Sequence, residues 1–209
     1  MRMLLVCLWF VFSIPAWGQG YSLLVLGDSL SAGYRMAAEQ SWPTLLTRQP
    51  PLAGAPLTVI NASVSGETSQ GGLTRLPALL QSHSPDWVLV ELGANDGLRG
   101  LPVNQTQANL AAIITQSQAA GAQVVLMQIR LPRNYGRRFI DRFEGIYPAL
   151  AKQFQLPLMP FLLESLYDQP ALLFEDGLHP RAEAQPQIAA QIADFLAPLL
   201  TANRSNGAS

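Results

Sequence analysis

Short, almost wholly apolar runs recur along this chain at 22–26, 57–60, 87–92 and 123–129, with a weaker one at 156–159, and they constrain its fold more than any other feature. A strand with one wet face would alternate apolar and polar residues; near-continuous apolar runs suit strands covered on both faces. Helix-length segments lie between and after them, at 42–48, 72–82, 105–120, 139–154 and 182–200, with apolar residues at helical spacing. Leu110, Ile113 and Ile114 fall on one side of the third segment, and Gly121 stands just past its end as a C-cap. Strand–helix alternation predicts a parallel sheet with right-handed crossovers, an α/β fold with about five strands in a three-layer α/β/α sandwich. No repeat or linker divides the chain, and 209 residues are enough for one domain with a hydrophobic core.

Residues 1–18 stand apart. Arg2 is followed by an apolar stretch over 3–14, then Pro15 and small residues at Ala16 and Gly18. This reads as a secretory signal peptide cut near Gly18 or Gln19, leaving 19–209 as a single domain whose last few residues form a disordered tail. The apolar run falls short of the ~20 residues needed to span a bilayer, so the cleaved product is expected to be exported without stable membrane insertion. The chain's single cysteine, Cys7, lies in this leader. The mature chain therefore has no disulfide, thiol nucleophile or thiolate metal site, and two histidines are too few for a His-rich metal site. A net charge of −1 with no Lys/Arg-rich run argues against nucleic acid as a partner. The chemistry left is that of hydroxyls, carboxylates and an imidazole.

Ligands of open α/β sheets bind outside the carboxyl ends of the strands, which sorts the candidates. The first strand ends at Gly27-Asp28-Ser29, placing Ser29 on the turn; Gly27 permits a tight backbone there, and a following helical turn would aim free N–H groups at a substrate. The second leads to Gly66, whose amide a ligand can approach closely, and the third to Asn95, whose side-chain NH2 can donate to a developing oxyanion. Each also fits a plain turn role. A serine nucleophile needs a base. His83 precedes the third strand at the opposite edge of the sheet, about 17–20 Å away, and is expected on a solvent-facing loop. His179 precedes the last helix, with Asp176 three residues earlier, close enough to accept the Nδ1–H and fix the tautomer. Nucleophile, backbone donor, amide donor and an acid–histidine pair together make an acyl-transfer set.

Gly27-Asp28-Ser29-Leu30, Gly66, Gly93-Ala94-Asn95-Asp96 and the stretch from Asp176 to Pro180 resemble the four blocks of the SGNH hydrolases, also called GDSL lipases/esterases. The segments 27–36, 73–80, 95–100, 129–132 and 134–136 are similar to bacterial thioesterase and lysophospholipase members of that family, so the likeness covers nearly all of the mature chain. The resemblance implies a flavodoxin-like sheet of order 2-1-3-4-5. It implies Ser29 as nucleophile, Asp176 and His179 as its partners, and the Ser29 N–H, Gly66 N–H and Asn95 side chain as oxyanion hole. It further implies a periplasmic enzyme without cofactor or metal that acts on acyl thioesters, aryl esters and lysophospholipids. A monomer is expected. Glu67 and Ala94 depart from the family's commoner Asp and Gly.

The loops 97–102 and 130–136 should flank the site, with Leu98, Leu101, Leu131, Pro132 and Tyr135 lining an acyl groove or packing the loops. Two other readings stay open: a carbohydrate O-deacetylase on the same residues, and a non-catalytic periplasmic module using its glycine turns as an anion cradle.

Overall fold

The computed structural model describes residues 20–206, so the expected leader and residues 207–209 lie outside the described residues. Five parallel strands form one sheet: β1 (Tyr21–Gly27), β2 (Leu57–Asn61), β3 (Trp87–Glu91), β4 (Gln123–Met127) and β5 (Leu158–Met159). Their order is β2-β1-β3-β4-β5, as the family resemblance implies. β3 is buried throughout and β1 and β4 nearly so, which is why their sequences lack alternation, whereas the edge strand β2 is partly exposed.

Helices cover both faces. α3 (Ser69–His83), α5 (Val103–Ala119) and α7 (Ile146–Phe154) pack in succession, while α2 (Trp42–Leu45) packs on the closing helix α8 (Gln185–Asn206). Shorter pieces are α1 (Ser29–Ala32), α4 (Ala94–Leu98) and α6 (Arg137–Glu144). Three boundaries differ from expectation for physical reasons. α3 begins before Gly72 because Thr68 caps it, its Oγ1 accepting the Gly71 N–H at 3.2 Å. The expected helix over 139–154 is two helices, α6 and α7, parted at Gly145. The segment 42–48 is one α-turn followed by a 3-10 turn, Leu46–Arg48.

His83 is exposed at the amino edge of the sheet, but it is the last residue of α3 and not a loop residue. The helix runs on to the left-handed Ser84, whose N–H closes on Leu80 O at 2.9 Å.

Candidate active site

The nucleophile candidate sits where β1 gives way to α1. Asp28 caps that single helical turn, its Oδ1 accepting the Leu30 N–H at 3.0 Å, and Ser29 is the first helical residue. Ser29 Oγ lies 2.8 Å from His179 Nε2, and His179 Nδ1 lies 2.8 Å from Asp176 Oδ2. Asp176 Oδ1 accepts the backbone N–H of both Leu178 (2.9 Å) and His179 (3.0 Å), so one carboxylate shapes the loop and holds the ring. The loop is closed at its base by the Leu173–Pro180 bridge and by the Phe174 N–H donating to His179 O at 2.8 Å. Tyr34 stacks on the imidazole with centroids 4.2 Å apart. Partial burial pushes Asp176 up, but the Leu178 and His179 hydrogen bonds and the nearby imidazole outweigh it and hold the carboxyl below its usual range.

Asn95 sits in the first turn of α4, and its Nδ2 donates to Asp28 Oδ2 at 3.0 Å, which leaves its second amide hydrogen for a ligand. The turn beneath is clamped by buried Asp96, which accepts the Ser69 N–H at 2.8 Å and the hydroxyls of Ser69 (2.5 Å) and Thr106 (3.3 Å). α4 is thereby tied to α3 and α5. Gly93 before it has φ +115°, and a Cβ there would collide with the Tyr147 hydroxyl, which donates to Leu92 O at 3.0 Å. Asp28 is 1% exposed, and that burial raises its carboxyl to about 6 despite the Leu30 and Asn95 hydrogen bonds and the attraction of His179.

Gly66 is left-handed (φ +81°) on the loop after β2, which is pinned to the nucleophile turn by the Val64 N–H donating to Gly27 O at 3.0 Å. Its carbonyl accepts from Arg99 at 2.9 Å. Neither the Gly66 N–H nor the Ser29 N–H has an acceptor among the described residues. Glu67, one of the departures from the family pattern, pairs with Arg75, which in turn donates to Ala62 O at 2.9 Å, so it staples this loop.

A cavity of about 400 Å³ opens at this edge. Ser29, Asn95, Asp176 and His179 line it, with Leu98, Leu131, Pro132 and Tyr135 among its walls. Gly66 is not among the lining residues, and neither is Leu101. The Leu101 N–H closes the turn on Asp96 O at 2.9 Å just after the left-handed Gly100, and the residue is 37% exposed. The sequence reading missed Phe161, Leu163 and Tyr167, which complete the wall from the segment after β5. The rule that sites gather at strand carboxyl ends applied there too, but β5 is only two residues long and gave little signal. It also missed Asp28, although Asp immediately before a helical turn is an N-cap pattern.

Gly27 is a glycine for a reason other than backbone tightness. Its backbone is ordinary strand, outside the left-handed region. Space is what demands glycine: a Cβ would lie 2.7 Å from Glu91 Oε2 and 2.9 Å from Ser63 Oγ. Among the described residues no group of three or more His, Cys, Asp or Glu could hold a metal ion.

The model of the GDSL-like lipase/acylhydrolase family matches residues 25–185. The chain is 54% identical to thioesterase 1/protease 1/lysophospholipase L1 of Escherichia coli, over 86% of this chain and 85% of that protein. It is 51% identical to an arylesterase of Vibrio mimicus, over 93% of this chain and 97% of that one. The crystal structure of the psychrotrophic esterase EstA from Pseudoalteromonas sp., inhibited by monoethylphosphonate, superposes with a TM-score of 0.83 at 41% identity, covering 87% of this chain and 99% of that one.

Proposed function

The chain belongs to the GDSL-like lipase/acylhydrolase family, and from that premise we propose that it hydrolyses carboxylic esters and thioesters through an acyl-enzyme on Ser29. The observation that carries this is the unbroken chain Ser29 Oγ–His179 Nε2 and His179 Nδ1–Asp176 Oδ2, each link 2.8 Å, at the mouth of a cavity with apolar walls. Ser29 Oγ attacks the acyl carbonyl carbon as its proton passes to His179 Nε2. Ionised Asp176 holds the tautomer that leaves Nε2 free and stabilises the imidazolium. The carbonyl oxygen becomes an oxyanion served by the Ser29 and Gly66 N–H groups and the free amide hydrogen of Asn95. His179 then gives its proton to the leaving oxygen or sulfur. Water repeats the steps in reverse and frees the acid and the serine.

No cofactor is called on. A thiolate or alkoxide leaves far more readily than an amide nitrogen, so thioesters and esters are the substrates and peptides are poor ones. The groove formed by Leu98, Leu131, Phe161 and Leu163 suits an alkyl chain more than a sugar. The names of the relatives, thioesterase, lysophospholipase and arylesterase, point the same way. Export through the 1–18 leader and a periplasmic site of action belong to the same proposal. They would bring the enzyme to esters and lysolipids.

Ser29→Ala should lower kcat/KM on p-nitrophenyl acyl esters by about 10⁴-fold or more with an unchanged circular dichroism spectrum. Retained turnover in the folded variant would remove Ser29 from the mechanism.

A further inference from the structure

Directly under the nucleophile turn lies an acid that the proposed mechanism does not use. Glu91, the last residue of β3, is in register with Gly27 of β1 and is 0% exposed. Its Oε2 accepts the N–H of Asp28 at 3.2 Å and the hydroxyl of Ser31 at 2.7 Å, the two sides of Ser29. Its Oε1 has no hydrogen-bond partner, and no cation pairs with it, among the described residues. The ionisable groups that face it are Asp28 from the turn and Tyr147 from α7, neither of them positive.

We propose that Glu91 is a positioning residue for the nucleophile: its carboxyl, as the neutral acid, holds the Asp28 amide and the Ser31 hydroxyl in place and so sets Ser29 together with the Asp28–Asn95 link. This rests on Ser29 being the nucleophile. With the acid proton on Oε1, Oε2 is the carbonyl oxygen that accepts both bonds. An ionised carboxylate with a bare oxygen and no counter-ion is among the most costly groups to bury. Burial, and next the charge of Asp28, push Glu91 well above the usual carboxylate range. A neutral acid also spares the site a further negative charge where an oxyanion must form. The glycine at 27 is explained by the same contact, since a side chain there would strike Glu91 Oε2.

The test has two arms. In the ¹³C spectrum of glutamate-labelled wild type, one side-chain carboxyl should still be protonated at about pH 7, where ordinary glutamates are ionised, and its signal should vanish in Glu91→Gln. Ionisation of every glutamate by pH 7 would overturn the proposal. In kinetics, Glu91→Gln, which can offer the same carbonyl, should keep kcat within about threefold. Glu91→Leu should lose on the order of 100-fold in kcat at little-changed KM. Ser31→Ala should lose about tenfold, one hydrogen bond's worth. A Gln variant as poor as Leu, or wild-type kcat in Glu91→Leu, would refute the role. If the Leu variant does not fold, wild-type kcat in Ser31→Ala refutes it instead. An active Ser29→Ala enzyme would sink the acyl-enzyme reading but leave the carboxyl spectrum of Glu91 as it stands, so the two failures are distinguishable.

Discussion

Two aspartates serve the same hydrogen-bonded chain from opposite environments. Asp28 is sealed under the nucleophile turn and spends its oxygens on Leu30 and on Asn95, a residue of another strand-end loop. Asp176 is partly exposed and spends its oxygens within three residues, on Leu178 and His179. Burial lifts Asp28 to about 6, while local hydrogen bonds hold Asp176 below its usual range. Ser29, Gly66 and Asn95 are thus fixed by contacts that cross the sheet, and His179 by a small self-contained loop. A backbone position that must be set accurately is built into the core, whereas an imidazole needs only one acceptor and a ring to stack on.

This contrast can be broken most directly on the base side. His179→Ala should cost about 10⁴-fold or more in kcat, yet leave thermal stability nearly unchanged, because the loop closes on itself. A variant that unfolds would show that the loop supports the body of the protein. Asp176→Asn should cost on the order of 10⁴-fold in kcat through the wrong tautomer. Asn95→Ala should cost about 10²–10³-fold in kcat by removing an oxyanion donor, and it should also lower the melting temperature, since Asp28 then loses a buried partner.

Opposite pH slopes of stability sharpen the comparison further. The folded-state value of Asp28, about 6, lies above its ordinary 3.8, so the ionised residue opposes folding above pH 6 and that opposition fades as pH falls towards 4. Measured against Asp28→Asn, which cannot titrate, wild type should gain stability as pH falls through that window. Asp176 has the reverse sign: its contribution is full above the ordinary value of 3.8 and is lost as pH falls through its depressed value. Wild type should therefore lose ground to Asp176→Asn only below about pH 4. Parallel slopes for the two pairs would contradict the contrast. The smallest effect is His83→Ala, expected within about twofold of wild-type rates, since His83 lies at the far edge of the sheet.

The same contrast explains what could be read from sequence. The Asp176–His179 pair was legible because its geometry is local: three residues in a turn determine it. The strands at 87–92 and 123–129 were legible because burial on both faces leaves no alternation. The links of Glu91 to Asp28 and Ser31, and of Asp28 to Asn95, were not, because they join residues sixty or more positions apart, and nothing in either segment announces the other. The tight backbone expected of Gly27 misses the real demand for glycine there, since its neighbour Glu91 becomes visible only in register. Leu101 shows the limit of apolarity as a signal: it is 37% exposed and absent from the cavity lining.

The central claim is that Ser29, its base and three donors converge on one acyl group. A crystal structure of the enzyme after reaction with an alkyl fluorophosphonate tests it most directly. The account predicts phosphorus bonded to Ser29 Oγ, with a phosphonyl oxygen about 2.7–3.1 Å from the Ser29 N–H nitrogen, the Gly66 N–H nitrogen and Asn95 Nδ2. An adduct on another residue, or an oxygen turned away from Gly66 and Asn95, would contradict it.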